Sequence, residues 1–429
     1  MAISLDGGPT RAFPNYTVDT GQYKAMGMRG QQVPALVLFD TVTKQPMPIP
    51  LKLALFDRES GKHSGEELVV LDAAEKTVTF DGFAAPPLLS INRGFSAPVA
   101  IERDLARDDL VFLAAHDDDP FARYEAMQEL VVAHLVAAAQ GRLDTADESA
   151  GQEAIGRAFA AAIAEPGIDD LMRGELLLLP GVTYIAEKIE RSDPAAIHAA
   201  REELKGWLGT ELGDDLRALY NRCESGAYQL DAAARGKRKV RIQALSLLAA
   251  ADTDAGAKLA AAQYEAADNM TDRQGALMVL TGLEKPQRTA ALIDFYNRFQ
   301  DNALVIDKWF ALQASSGHPA VVEHVKTLAD HADFTLRNPN RVRSLYMAFA
   351  ANPAGFHRAD GEGYRMIADL ILALDPINPQ TAARLVPPLG RWRRIESGRS
   401  AMMRAQLERI LAAGNLSRDT YEQVARSLD

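Results

Sequence analysis

Three polar side chains near the carboxy-terminal end stand where they could hold a ligand: Arg343, Gln380 and Arg384. They lie in two similar islands, Asn338-Pro339-Asn340-Arg341-Val342-Arg343-Ser344-Leu345 and Asn378-Pro379-Gln380-Thr381-Ala382-Ala383-Arg384-Leu385. Each island reads as a helix start, with Asn as cap and Pro at the first helical position, where a missing N–H costs nothing. On a helix opened by Asn338, the residues Val342, Leu345, Tyr346 and Phe349 form the apolar stripe, and Arg343 sits roughly 100° from Val342 at its border. Gln380 and Arg384 are four residues apart and share a helix face, so an amide and a guanidinium can jointly hold a carboxylate or peptide carbonyls. This is binding chemistry. The competing reading is that both arginines pair with neighbouring acids or helix ends.

Catalytic patterns fail in turn. A zinc hydrolase built on one helix needs His-Glu-x-x-His, so that two imidazoles face one metal and the Glu works on its water. The eight histidines, His63, His116, His134, His198, His318, His324, His331 and His357, are followed by Ser, Asp, Leu, Ala, Pro, Val, Ala and Arg. His318 and His324 are six apart, roughly 240° around a helix, and could share a metal only with a loop between them. Asp117-Asp118-Asp119 is a helix cap rather than a calcium loop, since the twelfth position counted from Asp117 is Gln128. A Gly-x-Ser-x-Gly elbow, a Gly-x-x-x-x-Gly-Lys-Ser/Thr phosphate loop and a Gly-x-Gly-x-x-Gly fingerprint are not found. The single cysteine, Cys223, reads as a buried bystander. No residue is assigned a catalytic or metal-binding role, and no cofactor is expected in this chain.

Composition narrows the partners. The chain of 429 residues has 58 acidic against 47 basic residues, a formal net charge of −11, and therefore repels phosphate backbones and anionic lipid. Nucleic acid is an unfavoured partner; the basic run Arg235 to Arg241 lacks interleaved aromatics and reads as a solvated loop leading into a helix from Ile242 to Ala250. One cysteine, no leader-like start and no stretch of about 18 apolar residues predict a cytoplasmic protein without membrane insertion.

The elements that must position the three residues change character near Phe95 to Ile101. Before it, Leu51, Leu53 and Leu55 alternate with polar or small residues, as do Val78 and Phe80, and Val33 to Asp40, Glu67 to Leu71 and Leu88 to Ile91 add further strands. Turn signals fall at Ser60-Gly61, Asp72 to Glu75, Asp81-Gly82 and Asn92-Arg93-Gly94, predicting a small β-sandwich. From about residue 101 onward only helical periodicity remains, with six Asp-Pro or Asn-Pro starts at Asp119, Asp193, Asn338, Asn352, Asp375 and Asn378. Helix pairs in so long an array stack on their neighbours, which predicts an α-solenoid of HEAT or armadillo type with a concave face. The expected domains are residues 1–100, a β-sandwich of Ig type, and 101–429, an all-helical superhelix.

The two islands, with Asp268-Asn269-Met270-Thr271-Asp272 and Asp307-Lys308-Trp309-Phe310, resemble the carboxy-terminal half of bacterial alanyl aminopeptidases, the aminopeptidase N family of zinc exopeptidases. The stretch from Lys44 through Val99 resembles the third domain of that family, and Ile101 to the end the fourth. The first 40 or so residues match poorly. The family's Gly-x-Met-Glu-Asn signature for the substrate amino terminus is absent, as is its zinc motif. The resemblance implies that Arg343, Gln380 and Arg384 line a chamber and contact the far end of a bound peptide. It further implies a lid and substrate-access region, inactive alone. Zinc and the amino-terminal catalytic half would be supplied from outside this sequence, with peptide as substrate. A stand-alone helical-repeat scaffold that binds proteins on its concave face is the alternative, and an enzyme using dispersed carboxylates the third possibility.

Overall fold

A computed structural model describes residues 49–429 apart from 73–74, 79–84, 100, 104 and 225; for residues 1–48 it describes the strands by backbone alone, and of residues 75, 77 and 102 no side chain. The chain forms two compact units, residues 1–131 with 153–165, and residues 132–152 with 166–429.

The first unit holds eleven strands among the described residues: β1 (Ala2–Ser4), β2 (Thr10–Phe13), β3 (Tyr16–Asp19), β4 (Tyr23–Met26), β5 (Val37–Asp40), β6 (Pro46–Met47), β7 (Ile49–Phe56), β8 (Glu67–Leu71), β9 (Glu75–Thr77), β10 (Leu88–Ile91) and β11 (Ile101–Arg103). They pair in three sheets ordered β11-β4-β1-β9, β10-β7-β8 and β2-β3-β5-β6. Alternation works as expected in the first half of β7, where Ile49, Leu51 and Leu53 are buried and Pro50 and Lys52 exposed, but ends there, since Ala54, Leu55 and Phe56 are all buried. Those three side chains form one core with Val69 and Leu71 of β8 and Ile91 of β10. Val78 and Val99, which lie outside the strands, and Ile101 of β11 pack against it. Val78 falls just after β9 rather than in a strand of its own, and Phe80, Asp81 and Gly82 lie outside the described residues.

The turn at Asn92 is fixed by its own side chain. Asn92 adopts φ 60 in the left-handed region, its Oδ1 accepts the Ala97 N–H at 2.9 Å and its Nδ2 donates to the Ala97 carbonyl at 3.1 Å. Next to it Arg93 is buried and donates to Asp117 at 2.7 Å and Asp118 at 2.5 Å. Asp119 caps the helix that opens at Pro120 by accepting the Ala122 N–H at 2.8 Å, and it also accepts the Gly94 N–H at 2.9 Å. All three acids of the triplet are thus spent on the strand-to-helix junction, and burial pushes the Asp117 carboxyl up despite its arginine.

The second unit is helical, as the 3.6-residue periodicity requires. Asn269, Asn302, Asn338, Asn352 and Asn378 each accept a backbone N–H from the first turn of the helix they open, the bonds that distinguish a cap from a loop residue. Five of the six Pro starts hold. The sixth does not: Asp375-Pro376 opens no helix, because Asp375 ends the helix Glu362–Leu374 and turns its carboxylate to Ser417 and Thr420. The basic run is a second correction. Arg235 to Arg241 lies inside the helix Ala232–Ala251, which starts earlier than periodicity suggested because Asp231 caps it at Ala234 N. Arg238 is buried, donates to the Gln229 carbonyl at 2.9 Å and lies over the Tyr228 ring, while Arg241 lies over Tyr220. The run is an anchored helix face rather than a solvated loop.

Close helix packing demands small residues at particular points. A Cβ on Gly209, in the helix Pro194–Glu211, would sit 2.1 Å from the Leu247 carbonyl oxygen of the helix Ala232–Ala251. Only glycine admits that approach. The largest fully buried side chains include Tyr364, Phe295, Phe310, Phe349 and Phe356, each worth about 2 to 3 kcal/mol of burial.

A plain solenoid brings only neighbouring repeats together, but this unit also joins its distant parts. Ser192 N donates to the Arg394 carbonyl at 2.9 Å and Glu396 N to the Ser192 carbonyl at 2.9 Å, a single parallel bridge between Ser192 and Ile395. Arg399 Nη1 donates to Asp193 at 3.1 Å, and Arg394 Nη2 donates to the Glu187 and Ile189 carbonyls at 3.2 and 3.3 Å. The contacts span 206 residues of sequence at Asp193 and Arg399. They hold the early and late helices of the unit together. No described helix is long and apolar enough to cross a membrane.

Candidate functional site

Arg343 belongs to a helix whose cap is complete: Asn338 Oδ1 accepts from Asn340 N at 3.1 Å and Arg341 N at 3.3 Å. Val342, Leu345, Tyr346 and Phe349 are buried, as the stripe required. The backbone widens into a π-helical turn over Arg343–Met347 before resuming as a helix over Ala348–Ala350, which the periodicity did not reveal. Two residues apart, two arginines point to opposite fates. Arg341 is buried, with Nε 3.1 Å from Asp307 Oδ1 and its guanidinium 4.8 Å from the Phe310 ring centroid. The Asp307-Lys308-Trp309-Phe310 motif therefore supplies both partners of a buried cation. Arg343 is exposed and donates Nη2 only to the neutral amide oxygen of Asn340, at 3.1 Å.

Gln380 and Arg384 lie one turn apart on the short helix Pro379–Arg384, capped by Asn378 Oδ1 accepting the Thr381 N–H at 3.1 Å. Ala382, Leu385 and Val386 are buried beneath them. Both polar side chains are exposed, and among the described residues neither has a hydrogen-bond or ion-pair partner. Arg343 stands on a separate helix, with no hydrogen bond or ion pair joining it to this pair. No described carboxylate lies within ion-pair distance of Arg343 or Arg384, and Arg343 meets the first turn of its own helix at Asn340. An uncompensated guanidinium on a rigid helix keeps its planar donor fork for a carboxylate or a peptide carbonyl.

Two arrangements escaped the sequence. The Asp193–Arg399 clasp has no local signature. The pair His318 and His324 does have the loop between them that sharing would require: His318 precedes the helix Val321–Ala329 and His324 lies within it, with ring centroids 4.6 Å apart. Among the described residues no group of three His, Cys, Asp or Glu side chains is arranged to hold a metal ion. Cys223 is fully buried and burial pushes its thiol up, away from reactivity.

Comparison with known proteins gives this geometry its context. The family described as a domain of unknown function (DUF3458_C) with ARM repeats matches residues 107–429, and one described as a domain of unknown function (DUF3458) with an Ig-like fold matches residues 23–104. Aminopeptidase N of Caulobacter vibrioides is 41% identical over 364 residues, covering 84% of this chain and 42% of the relative. Aminopeptidase N of Escherichia coli is 36% identical over 427 residues, covering 96% of this chain and 48% of the relative. The solved structure of Legionella pneumophila aminopeptidase A in complex with aspartic acid superposes with a TM-score of 0.79 at 29% identity, covering 92% of this chain and 47% of that one. The chain thus spans about half the length of the curated relatives it matches. It belongs to the DUF3458_C family of ARM-repeat domains, preceded by the Ig-like DUF3458 domain, and corresponds to the carboxy-terminal part of aminopeptidase N.

Proposed function

We propose that this chain is the lid and substrate-access region of a cytoplasmic zinc aminopeptidase, and that it is inactive by itself. Its partner would be an amino-terminal catalytic part that carries the metal, and its ligand the peptide whose amino-terminal residues are released there. The observation that carries the reading is the pair of uncompensated arginines in a chain that aligns almost end to end with the carboxy-terminal part of aminopeptidase N. Arg384 with Gln380 would receive the far carboxylate or last carbonyls of a peptide, and Arg343 would contribute a second positive charge. Neither arginine can abstract a proton at neutral pH, so both bind and orient without doing chemistry.

The test is to mix the chain with a separately expressed catalytic part of an aminopeptidase N from the same source. Association at micromolar concentration or tighter that restores or reshapes peptide hydrolysis is expected, with a raised KM for free-carboxylate peptides in Arg384→Ala or Arg343→Ala. A well-behaved monomer that ignores the catalytic part would sink this reading in favour of an independent helical-repeat scaffold. Purified alone with zinc, the chain should leave alanyl-nitroanilide intact.

A further inference from the structure

Arg343 is exposed, yet a neighbour fixes its direction. Its Nη2 donates to Oδ1 of Asn340, three residues earlier on the same helix, at 3.1 Å. A guanidinium has no acceptor, so the amide must present its oxygen to Arg343 and turn Nδ2 away. Asn340 is itself held at its backbone: its N–H reaches Asn338 Oδ1 at 3.1 Å, and its carbonyl accepts the Ser344 hydroxyl at 2.8 Å and the Arg343 N–H. On the buried side, Arg341 meets Asp307 at 3.1 Å and lies over Phe310, which pins the same turn to the core. The post that carries Oδ1 therefore stands before any ligand arrives.

The charge of that post matters as much as its place. Elsewhere in the same unit, exposed arginines at helical spacing meet carboxylates: Arg298 donates to Asp294 at 2.5 Å, Arg365 to Glu362 at 3.0 Å, Arg404 to Glu408 at 2.9 Å and Arg418 to Glu422 at 2.8 Å. Arg365 and Glu362 have the same three-residue spacing as Arg343 and Asn340. At that spacing a carboxylate would neutralise the guanidinium, whereas an amide oxygen accepts one N–H and leaves the positive charge whole. The other side-chain N–H groups of Arg343 have no partner among the described residues. The helix also widens into its π-helical turn at Arg343 itself, a local departure that helices often make at functional positions.

We infer that Asn340 is a positioning residue: it holds the Arg343 guanidinium in one direction while leaving its charge for a carboxylate of the ligand. The inference rests on the reading of Arg343 as a ligand-binding side chain, and it names the residue that makes this arginine selective for a free carboxylate over an amide.

The test titrates the full chain with trialanine and with trialanine amide at neutral pH and low ionic strength, and follows by NMR the Arg343 Nε–H and the backbone amides of residues 340–348. Saturable shifts with trialanine and markedly weaker binding of the amide are expected. Asn340→Asp should weaken trialanine binding about tenfold, the loss of a charge-assisted contact, and Asn340→Ala only about threefold, the loss of a neutral hydrogen bond. That order separates charge from shape, because Asp keeps the shape of Asn and is nevertheless the poorer replacement. The urea midpoint of Asn340→Asp should equal or exceed that of the wild type, since an acid in the first turn of a helix is favourable, so misfolding cannot account for its weaker binding. Binding that is lost in Arg343→Ala but unchanged in Asn340→Asp overturns the positioning role alone. An Asn340→Ala chain that binds more weakly than Asn340→Asp, or a lowered midpoint in Asn340→Asp, also overturns it. No saturable shift in the wild type, or wild-type affinity in Arg343→Ala, sinks the reading of Arg343 and the role of Asn340 with it.

Discussion

Arg341 and Arg399 on one side, Arg343 and Arg384 on the other, belong to the same helical unit but answer to different demands. Arg399 is enclosed by its partners: it donates to Asp193 at 3.1 Å, to Glu396 at 3.2 Å and to the His357 carbonyl at 2.8 Å, and His357 in turn meets the Tyr364 hydroxyl at 2.8 Å. Arg341 has Asp307 and the face of Phe310. Arg343 and Arg384 have no acid among the described residues. The contrast separates charges that hold the fold from charges left for something outside it, because a buried cation without a partner is costly whereas an exposed one is nearly free.

The comparison can be broken most directly at Arg341. Arg341→Ala leaves the Asp307 carboxylate without its cation in an almost buried place and should cost about 3 kcal/mol of unfolding free energy, read by urea denaturation. A loss no larger than that of an exposed arginine would refute the structural assignment. Arg399→Ala should cost less, about 2 kcal/mol, because Asp193 is 39% exposed and solvent screens part of the charge it leaves behind. Its more specific signature is faster amide exchange at Ser192 and Glu396, far apart in sequence, with Arg409→Ala as the unaffected control.

Acidification should act on the same clasp. Burial, with Arg399 nearby, pushes His357 down from 6.5 to about 4. Between those values the unfolded chain binds a proton that the folded chain refuses, so the stability from the neutral ring is complete above about pH 6.5, falls as pH drops, and is gone below about pH 4. The loss is about 2 kcal/mol once partial exposure is allowed for. His357→Gln should reduce, without abolishing, the fall of melting temperature across this window, because His324 is also pushed down to about 4, and an unchanged slope would remove His357 from the clasp. Asp360, held at about 2 by Arg358, gives way only in a lower window, below about pH 4, and should not confuse the result. The smallest effect belongs to the free arginines. Arg343→Ala and Arg384→Ala should change stability by no more than about 0.5 kcal/mol, and a larger loss would place them with the structural set.

Local physics made much of the fold legible. The strand β7 was readable from alternation, β8 and β10 from short runs between turn signals, and the helix starts from Asn and Asp caps, because these signals are written within a few residues. The exceptions are caused by partners farther along the chain. Asp375-Pro376 looks like a start and is not one, since its carboxylate is drawn to Ser417 and Thr420, 42 and 45 residues away. The run Arg235 to Arg241 looks solvated, yet Tyr220, Tyr228 and Gln229 cover parts of it. Of the candidate site, the place of Arg343 at the border of an apolar stripe and the shared face of Gln380 and Arg384 were legible from spacing alone. That no described acid compensates the arginines did not follow, because an ion-pair partner can arrive from any part of the chain that folds alongside.

By itself, then, the sequence determined the helix caps, the buried stripe at Val342, Leu345, Tyr346 and Phe349, and the resemblance carried by its two Asn-Pro islands. Capping and amphipathicity are set by neighbours three or four residues away, so they can be read without the fold. Only the tertiary structure decided that Ser192 pairs with Ile395, that Arg341 is spent while Arg343 is free, and that His318 and His324 meet. Each of those outcomes depends on which distant groups arrive at the same place, and hydrogen-bond partners are chosen by proximity in space rather than along the chain.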